Sequence, residues 1–530
     1  MEYKYKILII MILYMSAVIG IGVYFFKRAQ KSSENYFLGG RTLGPWVTAM
    51  SAEASDMSGW LLMGLPGLAY WCGLSSVFWT ALGLAIGTYV NWLIVAKRLR
   101  NYSQIAGNSI TVPDFFSKRF KEKNKVILGI SAVFIFVFFA VYASSCFATV
   151  GKLFTALFGA HYHMWLLIGA AFVIAYTLIG GFLAESVSDF MQAVVMITAL
   201  VIVVIVGVVK AGGVGAVIEN TKNIEGYLSL FQTATPEAGG SFFGQPGKFG
   251  FWSVISEMAW GLGYFGVPQV LLRFMAIRKP SEIKQSRIIA TIWVVISLAC
   301  AVIIGIVGRA YLGYTPELGS KSLAENILIV FSETEFEKSL WIILAGIIMA
   351  GILAATISSS DSYLLIASSA VSTNIFKGII KKDKVSDKTV MWVSRIAVIA
   401  IAIAGVIIAW NENSIIFNLV SFAWAGFGAT FGPLMIFSLF WKRTTRAGAI
   451  AGMLSGGLTV FVWEFVFTKF LAEKAAFFGI YELLPAFVVS SIVIVVVSLL
   501  TKKPDKEIED EFEKAKNGEI EETEVVSAEA

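Results

Sequence analysis

Long apolar runs, each near the length of one membrane crossing, follow one another along this chain with short polar stretches between them. A helix needs about 20 apolar residues to cross a bilayer, and on that count the chain predicts about 13 spans. They fall near residues 7–26, 43–71, 73–96, 126–156, 163–181, 189–210, 249–274, 288–311, 339–371, 392–410, 414–440, 447–468 and 477–501. The first is too long for a signal-peptide core and lacks a convincing cleavage site, so it reads as a true span. Several runs exceed what one straight crossing needs, which predicts tilting or breaks.

Polar residues interrupt the second run most sharply. Ser51 to Trp60 reads S-A-E-A-S-D-M-S-G-W and places Glu53 and Asp56 at mid-membrane depth. An ionisable group there costs several kcal/mol unless it is paired or wet. Gly59 beside Ser58 is the expected point of unwinding, and unwound backbone is tolerated only where it is buried in protein or lines a cavity. Five spans later Phe251 to Arg273 carries Gly261, Gly263, Gly266 and Pro268 close together. Proline removes a backbone donor and glycine adds backbone freedom, so this helix is expected to break too. Two broken helices an odd number of spans apart predict an inverted five-helix repeat with its site at the bilayer midplane. The resulting organisation is a first span and loop over 1–42, a first repeat over 43–248, a second over 249–441, two flanking helices over 442–501 and a charged tail over 502–530.

Composition agrees with an all-α polytopic membrane protein: 57% of the 530 residues are apolar and only 15% are charged. The net charge of +6 is no nucleic-acid signal, because the basic residues gather in loops on one side. They follow odd-numbered spans, as at Lys27 and Arg41, Lys97 to Lys125, Arg273 and Arg278, Lys377 to Arg395, Lys442 to Arg446, and Lys502 with Lys503. The positive-inside rule then places the N-terminus outside and the C-terminus in the cytoplasm of a multi-pass cell-membrane protein. The tail reads as solvated and partly helical, with a regulatory docking segment as the alternative.

The ninth span holds a third polar cluster, G-I-L-A-A-T-I-S-S-S-D-S-Y, from Gly351 to Tyr363. Its hydroxyls and carbonyls are the oxygen ligands a small hard cation takes in place of water. Serines that merely bond their own helix are the plainer reading, and Asp361 among them favours ion binding. Asp189 lies at a span entrance within G-G-F-L-A-E-S-V-S-D-F-M-Q. Cys72, Cys146 and Cys300 have no metal-ligand spacing and read as packing residues, and the loop pair His161 and His163 makes a poor metal site. With no H-E-x-x-H or G-x-S-x-G in context, an enzyme is not expected. A channel would need a continuous polar path, and a transporter-like sensor would need a signalling domain after the last span.

These residues carry a resemblance. S-A-x-A-S-D-M-S-G-W-L-L-M-G-L-P-G at Ser51 to Gly67 looks like the signature of the sodium/proline symporter branch of the sodium/solute symporter family. E-N-Y-F-L-G-G-R at Glu34, A-W-G-L-G-Y-F-G at Ala259, G-F-G-A-x-F-G-P at Gly426 and S-L-F-W-K-R at Ser438 extend it over nearly the whole chain apart from the tail. The resemblance implies the inverted repeat of the leucine-transporter type with flanking helices. It also implies sodium-coupled import of L-proline by alternating access, with sodium as a transported ligand, no organic cofactor and no obligatory protein partner.

By the same resemblance, sodium would be held by carbonyls of Ala54, Met57 and Ala355 and hydroxyls of Ser358 and Ser359. Asp56, Ser58 and Gly59 match positions needed for sodium and proline, and Trp60, Tyr142, Trp260 and Tyr264 match an aromatic proline pocket. Asp189, Asp361 and Ser362 are a candidate second cation or proton site. Glu53 and Glu257 depart from the family pattern and are expected to face each other across the site. They would share a proton, recognise a cationic group on another small amino acid or organic solute, couple a proton, or simply be solvated.

Overall fold

The computed structural model describes residues 2–29, 31–159, 161–336, 341–382 and 384–518. Among them ten helices are long and apolar enough to cross a membrane. One of these, Tyr162–Lys210, is a double element. Gly181 within it has φ +65, a left-handed conformation that glycine adopts without Cβ strain, so the chain turns a corner there. The two polar-interrupted runs stand outside the ten because each is broken. Pro45–Asp56 ends before a π-helical turn, Trp60–Gly64, which leads into Leu65–Cys72. Phe251–Met258 continues as a 3-10 stretch, Ala259–Phe265, before Pro268–Ala276. The loop between the sixth and seventh runs adds two small antiparallel strand pairs, Gln232–Thr233 with Gly247–Lys248 and Pro236–Glu237 with Phe242–Phe243.

Loops following odd-numbered runs meet on one face. Arg41 donates to the Met275 carbonyl at 2.6 Å and to Asn108 Oδ1 at 3.0 Å, and Lys125 Nζ donates to the Gly378 carbonyl at 2.8 Å. The corner at Gly181 lies here as well, since a Cβ added at Gly39 would meet Phe182 at 3.2 Å. Loops following even-numbered runs meet on the opposite face. Leu74 N donates to the Tyr227 carbonyl, Arg309 to the Gly240 carbonyl and Tyr162 to the Ala409 carbonyl.

The tail folds back on the first of these faces. Lys506–Asn517 is an amphipathic helix with Ile508, Phe512 and Ala515 buried. Phe512 sits under the guanidinium groups of Arg98 and Arg119 at 5.1 and 5.5 Å, while Lys121 pairs with Glu507 at 3.0 Å and also with Glu511. The tail was expected to be solvated, but this part of it is docked; residues 519–530 lie outside the described residues.

Small residues bring the helices of the two broken runs against their neighbours. Gly83 and Gly87, a G-x-x-x-G pair in Leu74–Val90, touch the backbone of the second broken run. A Cβ at Gly87 would stand 2.3 Å from the Gly261 carbonyl, and one at Gly261 would stand 2.2 Å from the Gly83 carbonyl. Backbone-to-backbone approach of this kind is how small residues drive helix association in membranes.

Candidate functional site

The first break falls at Met57 and Ser58, one residue earlier than the sequence suggested. Met57 has φ −84 and ψ 76, whereas Gly59 keeps helical dihedrals. Gly59 is required for a different reason: a Cβ there would lie 2.2 Å from Thr149 Oγ1 and 2.9 Å from Thr149 Cβ. The second break falls at Gly266 and Val267, with Pro268 starting the next helix. Gly261 and Gly263 stay in the 3-10 stretch; Gly263 is held against the Trp424 indole. Both breaks occur as expected, but these glycines serve close packing instead of backbone freedom.

The first break joins the serine cluster of the ninth run, now the helix Ile342–Ser369. Ser358 Oγ donates to the Ala54 carbonyl at 2.8 Å and to the Ala355 carbonyl at 3.2 Å, and Ser359 Oγ donates to the same Ala54 carbonyl at 3.3 Å. Four of the five expected sodium ligands therefore meet at one point, and Met57, the fifth, sits at the break itself and is fully buried. Carbonyl and hydroxyl oxygens are an all-oxygen donor set of the kind hard cations take.

Asp56 closes the adjoining space. Its Oδ2 accepts from Tyr264 OH at 2.8 Å and its Oδ1 from Gln269 Nε2 at 3.5 Å, so it reaches both halves of the second broken run. The Asp56 carbonyl, freed by the break, accepts from Trp60 Nε1 at 3.1 Å and Tyr142 OH at 3.4 Å. Trp60 and Trp260 have ring centroids 6.2 Å apart. Of the four aromatic residues expected from the sequence, Tyr264 bonds the Asp56 carboxylate, Trp60 and Tyr142 bond its backbone carbonyl, and Trp260 neighbours Trp60. Ser58 Oγ and Gln269 Oε1 are buried and have no hydrogen-bond partner among the described residues. Tyr363, Trp424 and Gln269 were not singled out from the sequence. Tyr363 stacks on Tyr142 at 4.2 Å, and Trp424 donates to the Trp260 carbonyl at 2.8 Å. Their signals were present in the serine cluster's last residue, the residues before G-F-G-A and the residue after Pro268.

The layer next to this site holds a cation of its own. Arg273, counted from the sequence among loop charges, is fully buried. Its Nη2 pairs with Glu185, with Asp189 Oδ2 at 3.1 Å and with Ser362 Oγ at 2.9 Å, while its Nε donates to Ser51 Oγ at 3.0 Å. Ser51 in turn donates to Asp189 Oδ2 at 2.8 Å. Two of the three residues expected to form a second cation site, Asp189 and Ser362, therefore engage a guanidinium. Asp361 accepts from the Ser362 backbone N–H and keeps Oδ2 unpartnered among the described residues. Glu185 was missed because sequence periodicity does not show which acids share a partner.

Glu53 and Glu257 do not face each other. Glu53 Oε1 accepts from Trp92 Nε1 at 3.2 Å. Glu257 accepts from Ser76 Oγ at 2.8 Å and Thr80 Oγ1 at 2.7 Å. Thr80 and Trp92 lie along one helical run, Leu74–Ile105, so at 1.5 Å rise per residue their positions are roughly 18 Å apart. The sequence placed both acids on broken helices but could not show that the helix packed between them offers each its own donors. His163 bonds the Trp410 carbonyl, and the three cysteines are free thiols.

Two discontinuous helices packed together, with a freed carbonyl of one meeting a neighbouring helix's hydroxyls, form the broken-helix arrangement in which membrane carriers place their sites. A family model described as the sodium:solute symporter family matches residues 36–456. Sodium/proline symporters of Staphylococcus aureus, strains USA300 / TCH1516 and JH9, are 42% identical over 512 residues, covering 96% of this chain and 95% of theirs. The chain belongs to the sodium:solute symporter family, a family of transporters. Among solved structures, a sodium-coupled sialic acid symporter in a substrate-bound outward-open state matches with TM-score 0.69 at 19% identity, covering 95% of this chain and 99% of its own. MhsT in complex with L-phenylalanine matches with TM-score 0.53 at 12% identity, covering 86% and 97%. These likenesses show the fold, which is of the leucine-transporter type.

Proposed function

We propose that this protein is a sodium-coupled symporter that imports L-proline by alternating access. The observation that carries this is the junction at Ala54, where a freed carbonyl of one broken helix meets the hydroxyls of Ser358 and Ser359 beside an aromatic-lined carboxylate. High identity over nearly the full length to sodium/proline symporters supports the choice of solute.

Sodium is held by the carbonyls of Ala54, Met57 and Ala355 and by the hydroxyls of Ser358 and Ser359, rotated so that their lone pairs face the ion. Asp56 and Ser58 shape the solute site, Gly59 admits the helix carrying Thr149, and Trp60, Tyr142, Trp260 and Tyr264 supply aromatic surface. A pyrrolidine ring packs on such faces, and its ammonium is attracted to them. Arg273 is the resident cation of the layer containing Asp189, Asp361 and Ser362, which argues against a second sodium there. Sodium joins the second and ninth runs and stabilises the outward-facing form; proline binds next, and each ligand strengthens the other's site.

Counting the corner at Gly181 as a division between two crossings, and each broken helix as one crossing, supports the reading of thirteen crossings. The two repeats then occupy 43–248 and 249–441, with 1–42, 442–501 and 502–530 flanking them. The face that gathers the basic loops and the tail helix is cytoplasmic, leaving the N-terminus outside. The test is accumulation of labelled proline in vesicles: an inward sodium gradient should drive it, and equal uptake without the gradient would remove the sodium part.

A further inference from the structure

One aromatic contact to the solute site comes from outside the two repeats. Tyr481 stands two residues before Leu483–Leu500, the last long apolar helix, and is buried. Its ring stacks on the Trp260 indole, with centroids 5.1 Å and planes 21° apart. Its N–H and its hydroxyl are tied to two different elements. The N–H donates to Ser256 Oγ at 2.7 Å, and the hydroxyl donates to the Ser421 carbonyl at 2.7 Å. Ser256 lies on the second broken run, four residues before Trp260, and Ser421 lies in Ile416–Phe440, three residues before Trp424. Trp424 in turn donates to the Trp260 carbonyl at 2.8 Å.

That attachment leaves the Tyr481 ring little room to shift. The helix it introduces packs without slack on the same two elements. A Cβ at Gly428 would stand 2.7 Å from Leu483 Cδ1 and 2.8 Å from Gly263 Cα, and one at Gly432 would stand 2.7 Å from Phe487. A tyrosine ring turns about only two side-chain torsions, and here its far end is bonded as well. Trp260 is less firmly placed by its own backbone. It lies in the 3-10 stretch Ala259–Phe265, beside Gly261 and Gly263, and 3-10 hydrogen bonds have poorer geometry than those of an α-helix. The setting of its indole therefore depends on contacts from outside that stretch.

We infer that Tyr481 is a positioning residue for the solute site, holding the Trp260 indole where the solute ring packs against it. The flanking helices thereby set how tightly and how selectively that ring is gripped, because a wall is selective only when packing behind it stops it from giving way. The solute class is a saturated five-membered ring bearing an ammonium, and a six-membered homologue needs the wall to yield by one methylene. This inference rests on the proline reading above.

The test uses full-length protein in proteoliposomes, with labelled proline uptake driven by a sodium gradient at saturating sodium. Tyr481→Leu should raise the KM for proline about fivefold, the scale of one aromatic contact, and leave the maximal rate within about twofold. Tyr481→Phe keeps the ring and should stay close to wild type in both. The six-membered-ring homologue of proline should compete better in Tyr481→Leu, because the indole is then free to retreat. In a Trp260→Leu background, Tyr481→Leu should change KM by less than about twofold, since its effect passes through the indole. An undiminished effect there would put Tyr481 on the solute itself and overturn the positioning role. A wild-type KM in Tyr481→Leu, a fall in maximal rate alone, or equal losses in Tyr481→Phe and Tyr481→Leu would overturn it too. Should the Trp260→Leu background be inactive, the competition decides, and an unchanged preference for proline in Tyr481→Leu overturns the inference. If Tyr481→Leu does not assemble, Tyr481→Met is read in the same way. Wild-type protein without sodium-driven proline uptake would overturn the proline reading, and this inference with it.

Discussion

The hydroxyl of Ser358 touches two carbonyls from different elements, so its loss should be felt mainly through the cation. Removing one such ligand is worth about 1.5 kcal/mol, equivalent to roughly tenfold in affinity. Ser358→Ala should raise the sodium concentration for half-maximal uptake by about that factor while changing the maximal rate less, as a sodium titration of uptake would show. Gly59 offers a second test. Its clash partner is the Thr149 side chain, so Gly59→Ala should abolish most uptake and Gly59→Ala with Thr149→Ala should recover part of it. An active single variant would mean that Thr149 moves aside freely. At this scale the sequence was informative about residue types and poor about partners. The polar or glycine-rich stretches that hold Asp56, Trp60, Trp260, Tyr264 and Ser358 were legible because each is contiguous in the sequence, whereas Tyr142 lies in an ordinary apolar run. Arg273 was misplaced because it ends an apolar run and looks like an ordinary flanking charge, and only packing brings Glu185 and Asp189 onto it from another helix.

The elements themselves were largely legible, since apolar length and Pro or Gly interruptions are local signals. What the sequence could not show was how an element end is held. Glu325 receives the backbone N–H groups of Ile416 and Phe417, the start of Ile416–Phe440, and pairs with Lys152 at 2.6 Å. Both side chains are nearly fully buried. Breaking a buried pair by removing one partner costs about 3–5 kcal/mol, because the other charge is left uncompensated. Glu325→Ala should therefore lower the thermal unfolding midpoint clearly, and more than the joint replacement Glu325→Gln with Lys152→Met. Equal midpoints for the two would show that the pair contributes little to holding that helix end.

For the molecule as a whole, the tail helix ties the ends of separate runs on one face. Lys442 pairs with Glu513 at 3.5 Å, Lys121 pairs with Glu507, and Phe512 lies under Arg98 and Arg119. The ion pairs are partly exposed and contribute little each, so most of the docking comes from Phe512, whose burial is worth about 2 kcal/mol. Phe512→Ala should free the tail to proteolysis at salt concentrations where the wild-type tail is protected. High salt alone should have the smaller effect.

The position of the first break has an electrical consequence. Met57 and Ser58 fall near the middle of the segment from Pro45 to Cys72, so an ion arriving there from either side has crossed only part of the transmembrane field. A unit charge crossing the whole membrane gains about 2.3 kcal/mol per 100 mV, and one stopping halfway gains about half of that. An inside-negative potential should therefore tighten apparent sodium binding from outside several-fold per 100 mV, even when the sodium concentrations on the two sides are equal. Membrane voltage would then act on the binding step itself, as an attraction drawing the ion down to the broken helix.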